Sequence, residues 1–208
     1  MFPAALFFAF AALAALFSPL ASRAQQSAPA PAAQKPVASD ADAKFRHAAD
    51  ELASAVPAPN PADVASPAAI VAAAYRSISG PMGPRDWNRF RALCLPDIRI
   101  RRTDVGSDAR TFVVDWSIDD SIHYASPILE KTDFYECALV NRVERFGNLA
   151  HVYSSYASSL TPNGEPFARG INSWQLIFDG KRWWIVSLAW DEERPNQKLP
   201  AEMDEHAH

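Results

Sequence analysis

Four polar residues lie in segments where apolar and polar positions alternate as in a β-strand: Arg102, Tyr156, Asn172 and Asp191. A guanidinium group can hold a carboxylate or enolate oxygen. An amide or a phenol can donate to an oxyanion, and a carboxylate can take up a proton. Trp174 shares the strand face of Asn172 and completes this set of ligand-pocket candidates. Gathered in one cavity, these groups would form a site for a small apolar molecule.

Each candidate also has an ordinary structural interpretation. Arg102 is then a solvated arginine at a strand end, and Asn172 is a polar residue at the end of a sheet. Tyr156 is a core aromatic residue with a satisfied hydroxyl, and Asp191 is an exposed member of an acidic run. Catalysis therefore requires at least two of these groups to converge in one closed cavity. We assign no catalytic residue from the sequence.

Composition and motifs exclude several classes of protein. The 208 residues are 49% hydrophobic and 21% charged, which is enough for a packed core. The net charge of −4 argues against non-specific electrostatic binding of nucleic acid. The sequence has no Gly-rich phosphate loop, no Gly-x-Ser-x-Gly and no His-Glu-x-x-His. Cys94 and Cys137 are too few for a cysteine-based zinc site, so we predict no metal and no cofactor. They would either pair in an oxidising compartment or remain buried thiols.

The first segment predicts export. Residues 2–20 are almost wholly apolar, and residues 22–24 (SRA) place small side chains at the −3 and −1 positions of a cleavage site. The apolar run is shorter than the roughly 20 residues of a spanning helix. We therefore prefer a signal peptide over residues 1–24 to an uncleaved anchor, and we expect no stable membrane span after cleavage. The expected location is periplasmic or secreted.

The next segment and the last one predict little packing. Residues 25–65 are rich in Ala and Pro, which favours an extended, solvated linker. Within it, the spacing of apolar residues over 40–56 predicts one short helix. Residues 196–208 form a charged C-terminal tail. The folded domain is therefore expected over 66–195.

The domain begins with helices. Ser66 and Pro67 are a typical helix start, and Gly80-Pro81 ends that helix. A second helix is predicted from about residue 85 until Pro96 stops it. A short strand around residues 98–100 follows, and a third helix is predicted over 114–129.

From residue 133 onward the pattern is that of strands separated by tight turns. The predicted strands cover 134–146, 149–160, 169–178 and 182–190. Consecutive hairpins form an antiparallel meander, and helices followed by a meander indicate an α+β fold. Internal Ser and Gly residues favour a strongly curved sheet.

Three segments, in order, resemble the NTF2-like (SnoaL-like) superfamily. They are residues 93–100 (LCLPDIRI), 146–152 (FGNLAHV) and 179–187 (DGKRWWIVS). The resemblance covers residues 66–193. It implies a cone with three N-terminal helices packed on a strongly curved antiparallel sheet and closing a pocket, and it implies dimers through the outer face of the sheet.

The resemblance also assigns the faces of the last strand. It implies that the face of Trp183 looks into the pocket, which makes Asp191 the one nearby carboxylate with pocket-side parity. The opposite face would then form the dimer contact, through Trp184, Val186, Leu188 and Trp190. The steroid-isomerase branch carries a catalytic Asp shortly after the Pro-Asp turn. By our spacing this chain has Arg102 there, and a protonated guanidinium cannot act as a base.

Three functional hypotheses remain, in this order of preference. The first is an exported, non-catalytic homodimer that binds a small apolar ligand or an envelope protein. The second is a pocket enzyme of the lyase, isomerase or cyclase type, with Asp191 as base and Arg102, Asn172 or Tyr156 as oxyanion stabilisers. The third is a dimerisation domain whose cone is packed solid.

Overall fold

The computed structural model describes residues 43–44 and 46–204. The helices are α1 (Ala49–Ser54), α2 (Pro67–Ile78), α3 (Trp87–Arg91) and α4 (Ile118–Leu129). The strands are β1 (Cys94–Val105), β2 (Thr111–Trp116), β3 (Tyr135–Phe146), β4 (Leu149–Ser159), β5 (Pro166–Phe178) and β6 (Trp183–Glu192). Short 3-10 helices cover Pro61–Val64 and Ala201–Met203. Within this part of the chain, no helix has the length and apolar character needed to cross a membrane.

The six strands form one mixed sheet in the order β2-β1-β6-β5-β4-β3. Neighbouring strands are antiparallel except β1 and β6, which are parallel. The expectation of a wholly antiparallel sheet is therefore wrong at this pair. The last strand of the meander returns beside β1, so α4 must connect the two edge strands, β2 and β3. The α+β class and the four strands predicted after residue 133 are confirmed, with ends that differ by at most three residues.

The helices begin at the capping residues that the sequence provides. The Ser66 hydroxyl accepts a hydrogen bond from the backbone of Ala69 at 3.1 Å, and Pro67 occupies the first helical position of α2. In α4, Ser117 and Asp120 form a reciprocal capping box. This box starts α4 at Ile118, so the prediction of a helix from residue 114 is wrong. Residues 111–116 form β2 instead.

Two other predicted helices are shorter than expected. α3 ends at Arg91, and Cys94 already belongs to β1. α1 covers only part of the helix predicted over 40–56, and residues 40–42 and 45 of that prediction lie outside the described residues. Packing also extends past the predicted domain ends, because Val64 and Met203 are buried.

A bulge in β6 sets which side chains face inward. Gln175 of β5 pairs with Ser187, whereas Leu176 pairs with Ile185, so Val186 is an extra residue in β6. A bulge of this kind breaks the strict alternation of faces along a strand. Ile185 packs in the hydrophobic core before the bulge, and Leu188 packs in the same core after it. Residues beyond Val186 therefore take the face opposite to the one that simple alternation assigns.

Candidate functional site

The inner face of the sheet, against which α2 and α4 pack, encloses a cavity of about 300 Å³. Most of its lining residues are apolar, and ten of them are aromatic. The aromatic lining residues are Tyr75, Trp87, Phe90, Trp116, Tyr124, Phe134, Tyr156, Phe167, Trp174 and Trp190. A volume of this size suits a small ligand. The hypothesis of a cone packed solid is therefore wrong.

Strand pairing explains why polar groups from distant parts of the chain meet in this cavity. Residues paired across neighbouring strands share a face of the sheet. Three cross-strand rows on the inner face carry the polar groups. The first row is Arg102, Trp190, Asn172 and Ser154, the second is Glu192, Gly170 and Tyr156, and the third is Ala168, Ser158 and Glu136.

Four of the predicted pocket residues line the cavity: Arg102, Tyr156, Asn172 and Trp174. Asp191 does not. Its two carboxylate oxygens each accept a hydrogen bond from Arg194 at 2.7 Å, and Gln197 donates to one of them at 2.9 Å. The Arg194 guanidinium holds the pKa of Asp191 well below its usual range. Asp191 is therefore a poor base, and the expectation that it enters the pocket is wrong because the bulge reverses its face.

The four residues predicted to form a dimer face do not lie on one outer surface. Leu188 and Trp190 line the cavity, again because of the bulge. Trp184 is fully buried within the single chain, where its indole N–H donates to Asp179 at 2.6 Å. The Arg182 guanidinium lies 3.6 Å from the centre of the same indole ring. Val186 is the half-buried extra residue of the bulge.

The sequence analysis missed Glu136, a carboxylate in the cavity lining. Ser158 lies opposite it on β4 and donates a hydrogen bond to Glu136 Oε2 at 2.8 Å. Burial raises the pKa of Glu136 to about 7; hydrogen bonds from Ser158 and Asn172 oppose this shift, and the charge of Glu192 adds to it. A carboxyl group with this pKa can donate or accept a proton near neutral pH. The signal in the sequence was an isolated acidic residue in the otherwise apolar stretch 134–140 (FYECALV), between Phe134 and Ala138 at alternate positions.

A buried hydrogen-bond chain fixes Asn172. Its amide nitrogen donates to the Tyr75 hydroxyl at 3.0 Å, and that hydroxyl shares a second hydrogen bond with Ser154 Oγ, 2.7 Å away. Tyr75 lies on α2 and packs edge-on against Trp174, with ring centres 5.9 Å apart. Burial raises the pKa of the Tyr75 phenol, so it remains protonated. These hydrogen bonds connect α2 to the strands that form the floor of the cavity.

Gly170 makes room for Tyr156. A Cβ atom at position 170 would lie 2.8 Å from the Tyr156 hydroxyl and would also collide with the backbone carbonyl of Asp191. Burial raises the pKa of Tyr156, which keeps its hydroxyl protonated and able to donate. Tyr156 therefore supplies a neutral hydrogen-bond donor beside Glu136.

Arg102 lies at the β1 side of the cavity. Its guanidinium carbon is 5.6 Å from the ring centre of Trp116 and 6.0 Å from that of Tyr124. One terminal nitrogen lies 3.3 Å from Asp104. Among the described residues, no group of three His, Cys, Asp or Glu side chains is arranged to hold a metal ion.

Several solved structures are similar to this chain. A protein of unknown function with a cystatin-like fold from Nostoc punctiforme shares 10% identity at a TM-score of 0.47, covering 63% of this chain and 90% of the other. An NTF-2 like protein of unknown function from Silicibacter pomeroyi shares 15% identity at a TM-score of 0.43, covering 62% and 94%. A candidate ketosteroid isomerase from Parabacteroides distasonis shares 13% identity at a TM-score of 0.43, covering 62% and 89%.

The second of these neighbours is described as NTF-2 like, which is the superfamily that the three sequence motifs resemble. With TM-scores below 0.5, these similarities carry no argument about what this chain does. No protein-family model matches the chain, and no curated protein matches it either.

Proposed function

We propose that the cavity binds a small, largely apolar molecule whose polar group meets Glu136. One observation carries the proposal: a cavity of about 300 Å³ with mostly apolar, aromatic-rich walls contains a carboxyl group whose pKa is raised to about 7. Aromatic walls favour an apolar body, because each Å² of apolar surface removed from water contributes about 25 cal/mol. When protonated, Glu136 can donate to a carbonyl or hydroxyl oxygen of the ligand.

A variant that fills the cavity tests this proposal. Ala168 lines the cavity, so Ala168→Phe is expected to weaken binding of the neutral fluorophore N-phenyl-1-naphthylamine at least about tenfold, because the bulky ring occupies the binding volume. Binding is measured by fluorescence titration. The control is Ala189→Phe, which places the same ring on an exposed position of β6. No binding of the fluorophore to the unmodified protein, or equal binding by both variants, would contradict the proposal.

A second candidate function is acid–base catalysis, which the pKa of Glu136 favours. The efficiency of a general base is greatest when its pKa lies near the working pH. Glu136 replaces Asp191 as the candidate base, and protonated Tyr156 is the nearest candidate donor to an oxyanion. The reaction class is proton transfer next to a carbonyl group, as in an isomerase or a lyase.

Proton exchange tests this second candidate. In deuterium oxide, the protein is expected to accelerate loss of the NMR signal of the protons next to the carbonyl of 2-tetralone, an apolar cyclic ketone. Glu136→Gln is expected to abolish the acceleration because an amide cannot take up the proton. Glu144→Gln, at an exposed position of the same strand, serves as control. An unaccelerated reaction, or equal rates for the protein and Glu136→Gln, would count against catalysis.

Several finer expectations, from the residues and from the resemblance, remain proposals. They are a cone in which α2, α3 and α4 close the cavity, cleavage after Ala24, export, an envelope-protein partner and a homodimer. The segment that predicts export lies outside the described residues. A dimer would have to use other residues, because contacts within the single chain already occupy the side chains of Trp184, Leu188 and Trp190.

A further inference from the structure

The guanidinium of Arg102 has unused hydrogen-bonding capacity. It carries five N–H donors. Its ion-pair contact with Asp104 is long at 3.3 Å, and about half of the Asp104 side chain is exposed. Within the described part of the chain, the buried Nε of Arg102 has no hydrogen-bond partner. A buried donor without a partner is costly, so this position favours an acceptor supplied from outside the chain.

Aromatic rings hold Arg102 in place. Trp116 and Tyr124 stack on each other with ring centres 5.1 Å apart, and both lie within about 6 Å of the guanidinium carbon. Trp116 also packs against Trp190, whose ring centre is 5.9 Å away. A guanidinium fixed in this way loses little freedom when it binds a planar acid group.

Arg102 and Glu136 lie at opposite sides of the cavity. Arg102 is on β1 and Glu136 is on β3, with β6, β5 and β4 between them. Neighbouring strands are separated by about 4.8 Å, so these two positions are four strand spacings apart in the sheet. The aromatic rings of Trp190, beside Arg102 in the first row, and Tyr156, in the second row, lie on the way from Arg102 to Glu136. A molecule that meets both groups must therefore be elongated, with an apolar middle.

The surrounding charges select a singly charged acid. Arg102 is accompanied by Asp104, and Glu136 and Glu192 line the same cavity. These carboxylates would repel a doubly charged phosphate, whereas one guanidinium suits one carboxylate.

We propose that Arg102 binds the acid group of an elongated, largely apolar carboxylic acid whose body lies along Trp190 and Tyr156. This inference rests on the proposed ligand-binding function and names the ligand class for the same cavity.

Two related fluorophores test this inference. 1-Anilinonaphthalene-8-sulfonate carries one negative charge, and N-phenyl-1-naphthylamine is its uncharged counterpart. Arg102→Gln is expected to weaken binding of the sulfonate roughly tenfold or more, because charge-assisted hydrogen bonds are lost, and to change binding of the neutral probe less than about twofold. Arg101→Gln is the matched control, since Arg101 lies on the opposite face of β1 and pairs with Asp115 at 3.0 Å.

The unmodified protein provides a second measurement that does not depend on the folding of a variant. 2-Naphthoate is expected to displace N-phenyl-1-naphthylamine at a concentration at least about tenfold lower than methyl 2-naphthoate does, because the ester has no charge for Arg102 to bind. Equal displacement, or equal loss of both probes in Arg102→Gln, would overturn the role of Arg102 while leaving the cavity as a binding site. If neither fluorophore binds, the proposed function fails and this inference fails with it.

Discussion

Glu136→Gln is expected to raise the free energy of unfolding in alkaline solution and to leave it nearly unchanged in acid. Burial lifts the pKa of Glu136 from its ordinary value near 4.5 to about 7, so the folded protein binds the proton more tightly than the unfolded chain does. Below pH 4.5 both states are protonated and the carboxyl group costs nothing. Between pH 4.5 and 7 the unfolded chain releases its proton first, so stability falls as the pH rises, and the penalty stays constant above pH 7.

Glutamine is close in size and shape to protonated glutamic acid and can also form hydrogen bonds. It cannot ionise, so it avoids this penalty. Each pKa unit corresponds to about 1.4 kcal/mol, so the gain approaches about 3 kcal/mol as an upper bound. Partial access of water to this half-buried side chain reduces it. The ionisable groups that interact with Glu136 are Glu192, Tyr75 and Tyr156; burial raises the pKa of both tyrosines, so they stay neutral over the pH range of this measurement.

Urea denaturation at pH 4, 5.5, 7 and 8.5 measures this effect. The control is Glu144→Gln, at an exposed position of β3 where the carboxylate lies 3.8 Å from Arg142. We expect this control to show less than about 0.5 kcal/mol of change at every pH. If the difference between Glu136→Gln and the unmodified protein were independent of pH, Glu136 would not have the raised pKa on which the proposed function rests.

Gly170→Ala is expected to destabilise the protein by about 2–3 kcal/mol, because the inner face of β5 has no room for a methyl group at this position. The new Cβ would press on the backbone carbonyl of Asp191 and on the Tyr156 ring, and it would lie 2.8 Å from the Tyr156 hydroxyl. Moving Tyr156 also changes the cavity, so the affinity for N-phenyl-1-naphthylamine should fall.

A second substitution separates the two contacts of this methyl group. Adding Tyr156→Phe to Gly170→Ala removes the hydroxyl contact and is expected to restore part of the lost stability, while the contact with the Asp191 carbonyl remains. Gln175→Ala, at a half-buried position on the other face of β5, is the control and should cost less than about 1 kcal/mol. A cost below about 0.5 kcal/mol for Gly170→Ala would show that β5 and β6 adjust to the methyl group and would contradict the prediction.

Local patterns in the sequence were sufficient for much of the fold. The segment 179–187 contains an Asp-Gly turn that places the β5–β6 hairpin, and alternation located the four C-terminal strands. The predicted helix over 114–129 included residues 114–116, which belong to β2. Only the capping box at Ser117 separates the strand from the helix, and a serine alone is a weak signal of where a helix begins.

The site was harder to predict, because it depends on contacts between strands. Arg102, Tyr156, Asn172 and Trp174 were found from alternation within their own strands. Glu136 becomes functional through the Ser158 opposite it and through burial by other elements, neither of which is visible in the local sequence. The prediction for Asp191 was wrong because it assumed that inward-facing and outward-facing residues alternate strictly along β6. The register with β5 shifts by one residue at Val186, which breaks that alternation.

The bulge at position 186 makes the contents of the cavity depend on strand pairing as well as on residue type. With Val186 as the extra residue, β6 presents Leu188, Trp190 and Glu192 to the ligand. If β6 paired with β5 without the bulge, the side chains beyond Val186 would turn by one position and present Ser187, Ala189 and Asp191 instead. Drawing Val186 into a regular ladder would therefore exchange an aromatic wall for a small, acidic one while the strand order stayed the same. Among proteins built on this framework, the presence or absence of a bulge in the last strand can redirect ligand preference without any substitution in the pocket.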